Sequence, residues 1–314
     1  MNFACGYIPH IQTTPLISTA KHYMKTSTFT KKNNILAIIL NYNNCKDTIN
    51  LLESLKGIVI DILVIDNCSQ ISDFNKLQKY FEENNKYFQL IREDTNHGFG
   101  GGVNIGITIA NENDYDFFVL LNNDLIITDK KCFNLCQNKL NNNQNISCIG
   151  IKHFYPNGDL QSLGGGYVNN LIGWGKLEKS NLSNIVSKET GYVMGSFFFC
   201  KTSIVDQIGY FDERYFIYFE EADFCLRLKK AGYEIDCIQD SSVIHIGSAT
   251  YNGMSKGFYQ RYSKASTQYV HKWHGVLRAC IATGLSAVIS IFYKSRRQYL
   301  YTILKFSIKG LRSD

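Results

Sequence analysis

Four short polar segments of this chain carry side chains that could bind a ligand, and each follows an apolar run. They are Asn41-Tyr42-Asn43, Asp66-Asn67-Cys68-Ser69, the glycine-rich stretch 96–106, and Asn122-Asn123-Asp124. Taken singly, each segment has an ordinary explanation, because Asn, Asp, Gly and Ser are common turn formers. Their chemistry also suits a nucleotide, since a carboxylate such as that of Asp66 accepts hydrogen bonds from a base and from ribose hydroxyls.

Two of these segments also suit the phosphates of a nucleotide. The glycines of 98–102 allow the backbone to approach a ligand closely, and the N-terminus of a following helix favours an anion. Asp124 is a lone carboxylate after an apolar run, which suits Mg²⁺ or Mn²⁺ shared with phosphate oxygens. His245 ends another apolar run and could complete a metal site with Asp124, although a lone histidine is more often structural.

A fifth segment, 211–227, places acidic residues among aromatic ones. An amphipathic helix explains part of it, because Glu220, Glu221 and Asp223 would complement the helix dipole and Asp223 would pair with Arg227. It does not explain why two adjacent acids follow so aromatic a stretch. Apolar surroundings raise the pKa of a carboxyl group towards the range useful for a general base. Glu220 and Glu221 are therefore candidate bases.

The elements that must position these residues alternate between strands and helices in the first half of the chain. Predicted strands lie at 35–40, 59–65, 88–92, 116–121 and 147–151, with predicted helices at 47–56, 73–85, 103–110 and 129–140. Repeated β-α-β units predict an α/β fold with a mostly parallel sheet and helices on both faces. Ligands bind beyond the carboxyl ends of such strands, where the four polar segments would meet.

The second half has a different pattern. It predicts a hairpin or loop at 156–175, an aromatic strand at 192–200, a helix at 220–231 and short strands at 233–238 and 242–246. Without a Pro- or Ser-rich linker, we expect one continuous domain over 35–270. A basic helical appendage is predicted at 271–314, and residues 1–34 are predicted to be an unstructured extension.

The net charge of +6 is unevenly distributed: +4 in residues 1–34, −5 in 35–270 and +7 in 271–314. A mildly acidic body argues against nucleic acid as a partner. The ten cysteines include no C-x-x-C pair, which favours reduced thiols in a cytoplasmic protein.

Together the segments resemble the family 2 glycosyltransferases of the GT-A fold, especially their bacterial rhamnosyltransferase-like branch. The resemblance covers about residues 35–250, and its motifs are ILNYN at 39–43, VIDNCS at 64–69, NHGFGGGVNIG at 96–106, LLNND at 120–124, the stretch 195–233, and HIGSAT at 245–250. It implies inverting transfer of a sugar, with rhamnose typical of the branch. The donor would be of the dTDP or UDP type, and the acceptor a glycan or lipid-linked glycan of O-antigen or capsule.

The resemblance also implies roles for individual residues. Those expected around the nucleotide sugar are Asn41, Asn43, Asp66, Asn67, Ser69, Asn96, Gly98, Gly100, Asn104, Asn122 and Asn123. The segment 122–124 replaces the family's D-x-D motif, so Asp124, with His245, would hold the divalent metal. Glu220-Glu221 stands where the family usually has Glu-Asp, whose second acid is the base. Glu221 is therefore the predicted base and Glu220 the alternative, because Glu reaches one methylene further than Asp.

Two other classes of protein share part of this pattern. A Rossmann dehydrogenase would carry its glycine-rich loop after the first strand, whereas here the glycines follow the third. A catalytically weakened sugar-binding or scaffolding member of the same fold is the second alternative, which the Glu-for-Asp change favours and the intact Asp66, Asp124 and His245 oppose.

The basic tail predicts a membrane partner. Lys294, Arg297, Lys305, Lys309 and Arg312 would fall within an arc of about 120° on a helix. Such a stripe beside apolar residues, Ile303 among them, is typical of an interfacial helix on the inner leaflet of the cytoplasmic membrane. The protein would then be peripheral on the cytoplasmic face. A helix packed on the catalytic domain with a solvated basic side is the alternative.

Overall fold

A computed structural model describes residues 31–84, 88–247, 255–292 and 294–312, so most of the predicted N-terminal extension lies outside the described residues. The first half alternates strands β1 (Ile35–Asn41), β2 (Asp61–Asp66), β3 (Gln89–Arg92) and β4 (Phe117–Asn122) with helices α1 (Cys45–Leu55), α2 (Ile71–Asn84) and α3 (Gly98–Glu112). These four strands are parallel in the order β3-β2-β1-β4. Their carboxyl ends therefore share one edge, as the sequence predicted.

The remaining elements of the domain complete this sheet and add a smaller one. They are β5 (Leu125–Ile126), α4 (Lys131–Asn142), β6 (Ile146–Phe154), β7 (Leu160–Ser162), β8 (Gly165–Asn169), β9 (Trp174–Leu177), α5 (Ser183–Val186), β10 (Gly191–Val193), β11 (Phe197–Lys201), a 3₁₀ turn (Thr202–Ile204), α6 (Val205–Ile208), α7 (Glu220–Lys230) and β12 (Glu234–His245). The central sheet continues β4-β11-β6-β12-β5, with β7 also on β6, and β10-β8-β9 form the second sheet. Strand β11 is antiparallel to both of its neighbours.

Strand β1 shows why helices cover both faces of the sheet. Its side chains alternate between the two faces, and all of Leu36, Ala37, Ile38 and Ile39 are buried. Ala37 and Ile39 belong to the apolar cluster with residues of α1 and α4, whereas Ile38 contacts α3 at Gly106. A run of apolar residues without alternation is therefore what this strand requires.

Three details differ from the sequence prediction. The aromatic strand predicted at 192–200 is two strands, because β10 joins the small sheet and β11 the central one. The two strands predicted at 233–246 are one strand, β12, with an irregularity between Ile238 and Ser242. The predicted glycine-rich loop instead forms the first turns of α3, where an added Cβ at Gly102 or Gly106 would lie 2.6 or 2.5 Å from a side chain of β1.

The C-terminal helices pack on the domain. Helix α8 (Lys256–Phe292) crosses the predicted boundary at residue 270 and is broken at Gly275 (φ 80°), followed by α9 (Lys294–Arg297) and α10 (Leu300–Leu311). Ile303 of α10 is buried near Trp174 and Tyr259, so one side of this helix packs on the protein, while the predicted membrane partner stays a prediction. Among the described residues, α8 alone is long and apolar enough, by length and composition, to cross a membrane.

Candidate active site

The ends of β1 and β2 carry a closed set of hydrogen bonds. Asn41 and Asp66 lie opposite each other in the register of the two strands, and both are fully buried. Nδ2 of Asn41 donates to Oδ1 of Asp66 at 2.8 Å, and the amide N–H of Ser69 donates to Oδ2 of Asp66 at 3.1 Å. The hydroxyl of Thr48 donates to Oδ1 of Asn41 at 2.8 Å. These bonds hold the Asp66 carboxylate in one orientation.

The loops that follow the two strands are joined to each other. The amide of Asn43 donates to Oγ of Ser69 at 2.8 Å, and the amide of Gln70 donates to Oδ1 of Asn43 at 2.7 Å. Asn43 and Cys68 both have positive φ angles, of 55° and 65°. Asn43 and Ser69 therefore shape the edge through contacts between loops, and their contact with a nucleotide stays a prediction.

The third polar segment is attached to the second. Nδ2 of Asn67 donates to the carbonyl of Gly98 at 2.9 Å, and the amide of Gly98 donates to Oδ1 of Asn96 at 2.8 Å. Gly98 has φ 73°, and an added Cβ would lie 2.2 Å from the carbonyl oxygen of Phe216, so only glycine fits. The amide of Phe99 donates to that same oxygen at 2.7 Å. This contact joins the start of α3 to the segment that leads to the acid pair.

Two more predicted residues of this helix face the same segment. Oδ1 of Asn104 accepts from the amide of Phe211 at 3.0 Å, and its Nδ2 donates to the Phe211 carbonyl at 2.9 Å and to Oε1 of Glu213 at 3.0 Å. Gly100 lies against Phe211 and the backbone of 212–215. Their roles at the donor stay predictions; in the described residues they connect α3 to the loop before α7.

The predicted metal residues are brought together by strand pairing. Strand β5 pairs with β12 so that Leu125 lies opposite His245, and Oδ1 of Asp124 is then 3.2 Å from Nε2 of His245. Oδ2 of Asp124 accepts from the amide of Gly247 at 3.1 Å.

Asn122 and Asn123 precede Asp124 in the chain. The amide of Asn122 donates to the carbonyl of Ser196, just before β11. Nδ2 of Asn123 donates to the hydroxyl of Thr48 in α1, which also bonds Asn41.

Sequence reasoning missed one residue at this pair, Gln161 of β7. Its Oε1 lies 2.9 Å from Nδ1 of His245, and because an amide oxygen can only accept, Nδ1 must carry the proton. Nε2 then faces Asp124, an arrangement that suits a shared metal ion. No sequence signal marks Gln161, since it reaches His245 only through the pairing of β7 and β12 on either side of β6.

The donor set fits a divalent ion that takes its other ligands from phosphate. Among the described ranges, no three His, Cys, Asp or Glu side chains are grouped to hold a metal, so Asp124 and His245 would supply two protein ligands. Mg²⁺ and Mn²⁺ bound beside substrate phosphates need few protein ligands. A second histidine, His153, lies with its ring centroid 5.8 Å from that of His245. Burial lowers the pKa of His153 to about 3, so it stays neutral there.

The acid pair begins α7 and is short of hydrogen bonds. Glu220 is 4% exposed and Glu221 is partly buried, and Oε2 of each is enclosed without a hydrogen-bond partner. Burial, with the charge of Glu221 beside it, raises the pKa of Glu220 well above its usual value. Burial raises the pKa of Glu221 to about 7. Burial therefore favours the neutral form of both carboxyl groups, and the pKa of Glu221 suits the loss and gain of a proton near neutral pH.

The backbone before the acid pair is held in an uncommon conformation by aromatic residues of α8. Tyr218 and Phe219 both have positive φ angles, of 74° and 70°, which costs about 1–3 kcal/mol at a non-glycine residue. Phe219 packs against Tyr262 and Tyr269, with ring centroids 5.1 and 5.5 Å away. The hydroxyl of Tyr262 also accepts from the amide of Gly175 at 2.8 Å. Sequence reasoning placed no functional residue in α8.

Further along α7, Asp223 connects this helix to α8. Its Oδ2 accepts from Nε of Arg227 at 2.9 Å, which confirms the predicted i, i+4 pair. Its Oδ1 lies 2.6 Å from Nζ of Lys272 and accepts from the indole of Trp273 at 2.9 Å. The third acid of the helix is thus fully bonded, in contrast to the two before it.

The site thus combines three parts on one mixed α/β sheet: the ends of β1 and β2 with their loops, which we call the nucleotide edge after their predicted role, the Asp124–His245 pair, and the buried acid pair. Residues 36–209, more than half of the chain, match the sequence model of Glycosyl transferase family 2, and the chain belongs to this family. It is 27% identical over 212 residues to the low-salt glycan biosynthesis hexosyltransferase Agl10 of Haloferax volcanii; the match covers 66% of each, just under two thirds of that relative's length.

Among solved structures, the fold is similar to that of the mannosyltransferase PcManGT from Pyrobaculum calidifontis, in complex with GDP-Man and Mn²⁺. The TM-score is 0.57, with 12% identity over 93% of this chain and 92% of that one. At this identity the likeness is one of fold. The predicted GT-A fold and family 2 membership are confirmed, whereas the rhamnosyltransferase-like branch is a matter for proposal.

Proposed function

We propose that this glycosyltransferase inverts configuration, with Glu221 as general base. The observation that carries the proposal is the acid pair: two adjacent carboxyl groups, each with one enclosed oxygen lacking a hydrogen-bond partner. The pKa of Glu221, raised to about 7, suits proton transfer at neutral pH. The segment before the pair is bonded to α3 beside the nucleotide edge, so base and donor site are parts of one framework.

The reaction is a single displacement at the anomeric carbon of a nucleotide-diphosphate sugar. Glu221 accepts the proton of an acceptor hydroxyl while that oxygen bonds to the anomeric carbon and the bond to the diphosphate breaks. Attack from the face opposite the leaving group inverts the configuration. Burial raises the pKa of Glu220 as well, which disfavours a second negative charge beside the base. Asp66 and the amides around it orient the nucleotide.

The proposed cofactor is Mg²⁺ or Mn²⁺, held by Asp124 and His245. When bound, such an ion offsets the negative charge that develops on the leaving diphosphate. The oxygen of Gln161 keeps Nε2 of His245 directed at Asp124. The donor is proposed to be a dTDP- or UDP-sugar, with rhamnose as the sugar, and the acceptor a glycan or lipid-linked glycan of O-antigen or capsule. The relatives carry other sugars, so the donor needs its own test.

A panel of nucleotide sugars, each added with Mn²⁺ in a thermal-unfolding assay, identifies the donor. A ligand at 100 times its Kd stabilises the folded state by about 2.7 kcal/mol, and dTDP-rhamnose is expected to give the largest rise in melting temperature. A larger rise with another nucleotide sugar would replace rhamnose in the proposal.

The base is tested by comparing Glu221→Gln with its neighbour Glu220→Gln. Loss of a general base costs about 100- to 10,000-fold in rate, so Glu221→Gln should abolish transfer while donor affinity changes less than about twofold. Glu220→Gln leaves the Glu221 carboxyl in place and should retain most of the rate. An active Glu221→Gln beside an inactive Glu220→Gln would exchange the two roles. Donor binding without transfer in the wild-type protein would favour the alternative of a sugar-binding or scaffolding member.

A further inference from the structure

The second segment of α8, residues 276–292, carries its large apolar side chains on the outside. Its buried positions are small: Ala279, Ala282, Ser286 and Ser290. Its exposed positions include Leu277, Ile281, Val288, Ile291 and Phe292, with Leu277 74% and Phe292 81% exposed. A helix that borders on water normally shows the reverse, with its large apolar residues against the core.

The small residues are inward because this segment lies against other helices and the small sheet. The break at Gly275 lets it fold back on the first segment of α8, and the hydroxyls of Thr267 and Thr283 from the two segments lie 3.4 Å apart. The indole of Trp174 in β9 donates to Oγ of Ser286 at 2.7 Å. The inner face is therefore already occupied by protein, and its orientation is fixed by a buried hydrogen bond.

Basic residues border the apolar face and are not balanced by acids. Residues 276–312 contain no Asp or Glu and seven Lys or Arg. Arg278, Lys305, Lys309 and Arg312 are exposed, and exposed Tyr301 and Ile308 continue the apolar surface onto α10. An apolar face with a basic border complements the acyl chains and headgroups of an anionic bilayer. A second copy of this surface would bring like charges together, so self-association is disfavoured.

We propose that the outward face of 276–292, together with Tyr301 and Ile308, inserts into the interface of an anionic lipid bilayer. A helix of this length measures about 25 Å, less than the ~30 Å hydrocarbon core. Although α8 as a whole is long enough to cross a membrane, the break at Gly275 shortens the straight segment and protein covers its inner face, so the proposal has it lie in the plane of the interface. The surface is separate from the nucleotide edge and the acid pair, and it goes beyond the proposed reaction.

Vesicle flotation of the full chain tests the surface with a matched control. The triple variant Leu277→Gln, Ile281→Gln, Val288→Gln removes apolar side chains from the proposed face. The control, Val59→Gln with Ile71→Gln, removes exposed apolar side chains from the sheet domain. On vesicles of phosphatidylglycerol and phosphatidylcholine in equal parts, the bound-to-free ratio should fall on the order of 100-fold for the triple variant. The control should bind as the wild type does. Equal binding by the triple variant and wild type would overturn the proposal.

Insertion depth provides a second measurement on an intact surface. Cys280 is exposed within the proposed face, so a polarity-sensitive maleimide dye placed there should shift to the blue on vesicle binding. The dye should be quenched by nitroxide groups on the acyl chains. Labelled Cys280→Ser gives the background from other thiols. A dye signal that vesicles leave unchanged would refute the proposal. So would a wild-type protein that forms a dimer and binds no lipid, if the triple variant is a monomer. Donor binding, measured by thermal shift, is independent of all these results.

Discussion

The nucleotide edge and the acid pair are both made of buried polar side chains, but they differ in how fully those side chains are hydrogen-bonded. At the edge, Asn41 and Asp66 have their polar atoms bonded to one another and to neighbouring loops. At the start of α7, Glu220 and Glu221 each keep an enclosed oxygen with no hydrogen-bond partner. Hydrogen bonds to a carboxylate favour its charged form, and burial without them disfavours it.

The difference corresponds to two kinds of task. A group that binds a ligand benefits from a fixed orientation, which a satisfied network supplies. A group that accepts a proton benefits from a pKa near the working pH, which incomplete solvation supplies. This difference agrees with the roles proposed above, Glu221 as the base and Asp66 in positioning the donor.

The largest expected effect is on the pH dependence of transfer. With the pKa of Glu221 raised to about 7, the base is protonated and inactive below that pH. The value of kcat/KM should fall about 50-fold between pH 7 and pH 5, and its slope should approach tenfold per pH unit below pH 6. Initial rates at fixed Mn²⁺ measure it. Glu220→Gln should keep an acidic limb, because the Glu221 carboxyl that titrates is still present.

An acidic limb of kcat/KM centred near the ordinary pKa of glutamate, about 4.3, would contradict the difference in solvation between the nucleotide edge and the acid pair. It would mean that Glu221 is as well solvated as an exposed carboxylate.

Asp124 and His245, the proposed metal ligands, resemble the nucleotide edge in being held by hydrogen bonds, because Gln161 bonds to the ring of His245. In Gln161→Leu, Nδ1 of His245 has no acceptor and the ring loses its fixed orientation. Loss of such a partner typically costs about 10- to 100-fold in metal affinity, measured here by electron paramagnetic resonance of added Mn²⁺. Gln161→Glu keeps an acceptor and should retain most of the affinity. Equal Mn²⁺ affinity in the leucine variant would show that Gln161 has no part in positioning His245.

The same acid-to-amide change should shift stability in opposite directions in the two regions. Asp66→Asn places an NH₂ group against the donors from Asn41 or Ser69, and should lower the free energy of unfolding by about 1–3 kcal/mol. Glu221→Gln removes a carboxyl whose folded pKa lies above its unfolded value, a group whose stabilising contribution is lost as pH rises through about 7. Relative to wild type, this variant should therefore become more stable from pH 5 to pH 8.

Urea unfolding at pH 5 and pH 8 measures both changes. Parallel pH dependence of the wild type and Glu221→Gln would show that the folded protein does not hold the Glu221 carboxyl at a raised pKa.

The sequence predicted that the strand ends share one edge, because each strand is short, apolar and ends at a polar residue, as β1 does at Asn41. It predicted the pair of Asp223 and Arg227 because the contact is local to one helix. It could not reveal Gln161, whose contact with His245 depends on the order of three strands. It placed the start of α3 at 103, whereas the helix begins at Gly98 and lies close on Leu40 and Ile38 at Gly102 and Gly106, a contact absent from the local pattern.

The smallest expected effect concerns how α8 supports the acid pair. Tyr262 contacts the rings of Tyr218 and Phe219, and its hydroxyl accepts from the amide of Gly175. Tyr262→Phe keeps the ring and removes only the acceptor, which should cost about 0.5–1.5 kcal/mol of stability and leave the acidic limb of kcat/KM in place. Tyr262→Leu also removes the ring that holds the two residues with positive φ. If the uncommon backbone at 218–219 keeps Glu221 enclosed, Tyr262→Leu should shift the acidic limb of kcat/KM to lower pH. An unchanged acidic limb would show that this backbone conformation does not raise the pKa of Glu221.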